Sequence, residues 1–158
     1  MPNHCMNTVI IKSSDMPGKD NLALTKLEEL YIALKDEQFF NHILPMPEEL
    51  NENGEWYEWR INNWSTKWEA YDLDYVIYDN VVEINFTTAW APPIRVYDEL
   101  VNMGFEVEAK YFEPGCDFVG EYIDGEDKTY TLENAPAHLV EFYEIEEYLD
   151  SIEQEDKE

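Results

Sequence analysis

Phe105-Glu106-Val107-Glu108-Ala109-Lys110-Tyr111 is the stretch on which the fold turns. Apolar and charged side chains alternate along it with a period of two, the pattern of a half-buried strand. Its charged side is largely acidic and is expected to face water, as one side of an antiparallel sheet can. Just upstream, Pro92-Pro93 opens a helix whose apolar face is Ile94, Tyr97, Leu100 and Val101, and Gly104 stops it. Before that helix, Tyr75–Tyr78 and Val81–Thr88 flank Asp79-Asn80, a tight hairpin in which Val82, Ile84 and Phe86 alternate with Glu83 and Asn85.

Working back to the start of the chain, Thr8–Lys12 is β-branched and short and reads as a strand. Asp15-Met16-Pro17-Gly18 is turn chemistry, and Asp20 or Asn21 caps a helix over about 21–35 with Leu24, Leu27, Tyr31 and Leu34 on one stripe. Residues 37–70 lack a clear period. Pro45, Pro47, Asn51, Asn53 and Gly54 break them, and Trp56, Trp59, Trp64 and Trp68 stud them. A connection of that length is usually functional or packs as a lid. Downstream of the central strand, Phe118–Ile123 and Thr129–Leu132 flank a polar loop at 124–128, a second hairpin. Asn134 and Pro136 start a last helix. Leu139, Phe142, Ile145, Leu149 and Ile152 mark its apolar stripe, and Glu141, Glu144, Glu146, Glu147, Asp150 and Glu153 fill its flank.

The order is therefore α+β. A ferredoxin-like split βαββαβ antiparallel sheet with helices on one face is followed by an extra β-hairpin and a C-terminal helix. The expected organisation is one domain over 1–132 with the Trp-rich insert at 37–70, then an acidic amphipathic helix and tail over 133–158.

Composition limits the function. Ten Lys and Arg stand against 36 Asp and Glu, a formal net charge of −26. Direct binding to nucleic acid or to an anionic membrane needs the opposite sign. Disorder is excluded by five Trp, eleven Tyr and seven Phe, which are core-building residues. Residues 1–44 hold four Lys and six acids, so nearly all of the excess lies in 45–158. The N-terminus has no basic and apolar signal segment, no apolar run spans a bilayer, and two cysteines do not make a disulfide framework. The expected compartment is the cytoplasm, with reduced thiols.

Four stretches resemble the signature segments of the YubB-like ferredoxin-fold proteins of plasmids and phages. They are Met1-Pro2-Asn3-His4-Cys5-Met6-Asn7, Asn63-Trp64-Ser65-Thr66-Lys67-Trp68-Glu69-Ala70-Tyr71-Asp72, Thr87-Thr88-Ala89-Trp90-Ala91-Pro92-Pro93 and Glu113-Pro114-Gly115-Cys116-Asp117-Phe118-Val119-Gly120-Glu121-Tyr122. The resemblance covers about residues 1–132. It implies a ferredoxin-like fold and a mobile-element origin. It implies no reaction and no cofactor, since two cysteines cannot hold an iron–sulfur cluster. The acidic terminal helix lies outside the signature, and family members are less acidic.

The residues then offer two kinds of site. Glu106 and Glu108 on the strand, Asp124, Glu126 and Asp127 in the hairpin, and Glu141, Glu144, Glu147 and Asp150 on the last helix are candidates for a surface that imitates nucleic-acid charge. Such a surface would occupy the basic groove of a host defence protein of the CRISPR or restriction type. The alternative is a small-ligand pocket for a nucleotide, built from Trp64, Lys67, Trp68 and Trp90, where bases stack on aromatic rings. No catalytic triad and no phosphate-cradling glycine loop is present, so the expectation is a non-enzymatic protein. His4, Cys5 and Cys116 match no zinc spacing, and no metal is expected. The stripe on the last helix must bury on its own sheet or on a second copy, and a homodimer through that helix is the favoured outlet.

Overall fold

The computed structural model describes residues 3–13 and 21–156. The turn expected at Asp15–Gly18, the Asp20 cap and the Leu24 side chain lie outside the described residues. Six strands form one antiparallel sheet: β1 (His4–Ser13), β2 (Tyr71–Tyr78), β3 (Val81–Ala89), β4 (Phe105–Glu113), β5 (Phe118–Ile123) and β6 (Glu126–Tyr130). Their order across the sheet is β2-β3-β1-β4-β5-β6. The α+β class and the antiparallel sheet hold, and the second hairpin joins the sheet at the free side of β4.

β1 runs four residues further towards the N-terminus than the β-branched run suggests. The reason is Asn7, a polar residue at a core-facing position. Its Nδ2 donates to the Cys5 carbonyl at 3.0 Å and to Thr88 Oγ1 at 2.9 Å, so burial leaves no donor unpaired. Cys5, Asn7, Val9 and Ile11 all turn to the same buried side.

On that side, Val9 and Ile11 cluster with Val82, Ile84 and Phe86 of β3 and with Val107 and Ala109 of β4. Two helices cover them: α1 (Asn21–Lys35) with Leu27, Leu30 and Leu34, and α5 (Ile94–Asn102) with Val96, Tyr97 and Leu100. The insert is not irregular. It folds into three short helices, α2 (Phe39–Ile43), α3 (Glu49–Asn53) and α4 (Trp56–Trp64), of which α2 and α4 seal the same core with Phe39, Phe40 and Trp64. α2 and α3, five residues each, are too short to show a period, and of the nine residues of α4 only Trp64 is buried.

The opposite face has a smaller core. Phe112 of β4 and Val119 of β5 carry Leu132, Leu139 and Ile145. The terminal helix is really two, α6 (Ala137–Phe142) and α7 (Ile145–Asp156), broken where Glu144 adopts φ +52°. Helices therefore lie on both faces of the sheet. The break also leaves Phe142 exposed, its ring 5.1 Å from Lys110 Nζ, while Leu139 and Ile145 stay buried. Leu139 and Ile145 of the stripe thus find their partner on the chain's own sheet, while Leu149 and Ile152 are half-buried.

In the second hairpin the turn shrinks to Asp124-Gly125, and Glu126–Lys128 belong to β6. The sequence hides this strand because it is polar on both sides.

Candidate interaction surface

The acids singled out from the sequence fall into two clusters. Glu141, Glu144 and Glu147 line one groove of about 590 Å³ between α6 and α7, together with Glu146, Ala135, Ala137 and Val140. No Lys or Arg lines it. The break at Glu144 makes this cluster, because it folds the acidic flank of α6 against the first turn of α7. Asp150 is exposed on α7, one turn beyond Glu146 and Glu147. Glu146, read on the acidic flank of the helix but not among the candidate contact acids, completes the groove.

Glu106 and Glu108 project from β4 beside Asp124, and these three line a second groove of about 270 Å³ with Ile10, Ile123 and Lys12. Lys12 stands opposite Glu106 in the β1–β4 register, and Lys110 approaches Glu108 at 3.8 Å. The field there is mixed, unlike that of the α6–α7 groove. Both grooves belong to the same side of the sheet, since Ile10, Lys12, Glu106, Glu108, Phe112 and Val119 share one face by alternation and register.

The hairpin acids divide. Glu126 is exposed opposite Ile123. Asp124 Oδ1 accepts the Val107 N–H at 2.8 Å and fastens the turn to β4. Asp127 points to the other side of the sheet, where its Oδ1 accepts the Tyr111 hydroxyl at 2.6 Å. Burial pushes its carboxyl up from the ordinary range. Asp127 is exposed but tied to Tyr111 on the other side of the sheet, so it is not gathered with the other acids.

None of the described grooves is lined by a tryptophan. Trp64 is 1 % exposed, packs on Phe40 and Trp59, and donates its Nε1–H to the Leu44 carbonyl at 2.9 Å. Arg60, which the sequence reading passed over, lies with its guanidinium about 5 Å from the rings of both Trp56 and Trp64. Lys67 Nζ sits 4.3 Å from the Trp68 ring centre. Trp68 and Trp90 are exposed, and the Trp90 N–H is tied to the Asn3 carbonyl at 2.9 Å. Both cysteines are free. Burial pushes the Cys5 thiol up to about 12. Cys116 is exposed and accepts Asn3 Nδ2 at 3.2 Å. Among the described residues no group of three or more His, Cys, Asp or Glu is placed to hold a metal. No described helix is long and apolar enough to cross a membrane.

No family model matches the chain, and no curated protein matches it in sequence. Its fold is similar to that of a solved structure, the crystal structure of a protein api92 from Yersinia pseudotuberculosis, of the family DUF1281. The TM-score is 0.54 at 10% identity, over 86% of this chain and 100% of that chain. At that identity the likeness is one of fold alone.

Proposed function

We propose that this chain is a non-enzymatic acidic interaction protein of a phage or plasmid. It imitates nucleic-acid charge and blocks the basic DNA- or RNA-binding surface of a host defence protein in the host cytoplasm. The observation that carries this reading is the α6–α7 groove, where Glu141, Glu144, Glu146 and Glu147 converge with no basic side chain among them. Duplex DNA offers roughly one charge per 1.7 Å of axis, and a rigid body with a net charge of −26 presents a comparable field to a Lys- and Arg-lined cleft. The YubB-like resemblance supports a mobile-element origin. The order β2-β3-β1-β4 supports a ferredoxin-like core to which β5, β6 and the terminal helices are added. The nucleotide-pocket reading is weaker, because Trp64 is packed within the core and has no free ring face to stack a base.

The test is competition. A basic defence protein captured from host lysate at low salt should be released at high salt and should lose its nucleic acid in proportion to the chain added. Reversing Glu141, Glu144 and Glu147 together to Lys should weaken that displacement by at least about tenfold, whereas single reversals should each change it little, since exposed pairs contribute roughly 0–1 kcal/mol. Full displacement by the triple variant would reject this face. Loss of displacement in a folded Lys67→Ala variant would favour the ligand pocket.

A further inference from the structure

β2 is the outermost strand on its side of the sheet, and β3 is its sole described ladder partner. An edge strand presents a row of unpaired N–H and C=O groups, and proteins usually blunt such edges with charge, proline, bulges or brevity. The opposite edge is blunted. β6 is five residues long and begins Glu126-Asp127-Lys128. The first half of β2 is blunted as well, by a register shift between Tyr71 and Asp74 and by Asp72 at φ +50°. The second half, Tyr75-Val76-Ile77-Tyr78, has no such protection. Val76 is 56 % exposed, Ile77 42 % and Tyr78 46 %, so apolar groups stand open on both sides of the strand.

The register settles which backbone groups are free. Tyr78 pairs with Val81 across the two-residue turn and forms the hydrogen-bonded pair that closes it. Pairs of this kind alternate, so Val76 and Tyr78 spend their N–H and C=O on β3, and Tyr75 and Ile77 turn theirs outward. The surroundings settle the sign of the occupant. Asp72, Asp74, Asp79 and Glu83 lie on the β2–β3 hairpin, and residues 71–89 contain no Lys or Arg. Two copies joined edge to edge would bring these acids together, which like-charge repulsion opposes.

We propose that the outer edge of β2 at Tyr75–Tyr78 is a docking strand for an extended, Lys- or Arg-bearing segment of a partner protein, which adds to the sheet as a seventh strand. Main-chain bonds to Tyr75 and Ile77 supply affinity, Val76, Ile77 and Tyr78 take the apolar side chains, and the flanking acids select for basic ones. This site is separate from the α6–α7 groove and does not depend on nucleic-acid imitation.

The probe is a fluorescent octapeptide of alternating Lys and Val. Its control is the same peptide methylated on every amide nitrogen, which keeps charge and apolar content but has no N–H to donate on either edge. Binding is read by anisotropy at about 0.05 M salt and located by amide chemical shifts. The plain peptide should bind and perturb Tyr75–Tyr78, and the methylated one should bind at least about tenfold more weakly. Ile77→Pro removes an outward N–H while sparing the β3 ladder, so it should weaken binding similarly without unfolding the sheet. Ile77→Lys, which keeps the N–H, serves as a second edge variant and should weaken binding by repelling the basic peptide. The Glu141, Glu144 and Glu147 reversal should leave peptide binding at β2 intact, which separates this site from the acidic groove. Equal binding of both peptides, shifts confined to α6–α7, or an edge-dependent doubling of sedimentation mass that Ile77→Pro abolishes would each overturn the proposal.

Discussion

Glu69 closes the start of α2. Its carboxylate accepts the backbone N–H groups of Phe40 at 2.6 Å, Asn41 at 3.0 Å and Ala70 at 3.2 Å. Glu69→Gln swaps one acceptor oxygen for a donor facing those N–H groups. It should destabilise the fold by about 1–3 kcal/mol, read from the urea midpoint. Burial holds the Glu69 pKa above its ordinary value, with the three N–H donors and Arg60 pulling the other way. The folded chain then binds this proton more readily than the unfolded chain does. Ionised Glu69 subtracts from stability as pH rises through the folded pKa, and that loss is recovered as pH falls back through it. The stability gap between wild type and Glu69→Gln should therefore narrow as pH rises through that window. Parallel curves would show that Glu69 titrates as it does unfolded. A second residue-scale outcome concerns the thiols. Buried Cys5 should resist iodoacetamide until the chain unfolds, whereas exposed Cys116 should react in the native state. The Glu113 carboxylate beside Cys116 pushes the thiol pKa up, so Glu113→Gln should speed native alkylation of Cys116 near pH 8. An unchanged rate would mean that the carboxylate does not raise that pKa.

At the scale of elements, β4 and β5 meet where Tyr111 lies over Gly120. A Cβ at Gly120 would collide with the Tyr111 ring and lie 2.6 Å from the Lys128 carbonyl. Tyr111 cannot swing aside freely, because its hydroxyl is bound to Asp127 and Thr129. Gly120→Ala should destabilise by about 1–3 kcal/mol in thermal or urea unfolding. Under α6, Leu139 is fully buried against Phe112 and Val119, and Leu139→Ala should lower stability by about 2–5 kcal/mol. A loss below about 1 kcal/mol would mean that the smaller core contributes little to the fold. These two spots also show what a sequence makes legible. The alternation at Phe105–Tyr111 and the stripes at Leu27–Leu34 and Ile94–Val101 are local and periodic, so the strands and long helices were readable. Asn7 in a core position, the polar strand Glu126–Tyr130 and the break at Glu144 were not, because each is decided by a distant neighbour. Of the candidate acids, those of the terminal helix were legible as one flank. The withdrawal of Asp127 to Tyr111, and the burial of Trp64, follow from tertiary contacts that no spacing encodes.

The whole molecule carries −26 charges, and many acids lie on the sheet side that bears both grooves. Self-repulsion of that size destabilises the compact state and is weakened by screening. The melting temperature should rise as NaCl goes from about 0.05 to about 0.5 M, and a flat or falling curve would show that the field is not costly. The central place of β1 has a consequence for how the chain comes off the ribosome. Its ladder partners are Val81–Ala89 on one side and Phe105–Phe112 on the other, so β1, made before either, waits for a later part of the chain before both its edges close. The β2–β3 and β4–β5–β6 hairpins are local, whereas Val9-Ile10-Ile11 is an unpaired apolar stretch until β3 emerges and keeps one edge open until β4 does. Nascent chains arrested before Phe105 should be cut readily by protease near β1 and should bind a holdase chaperone there, and both signals should vanish once β4 has cleared the exit tunnel.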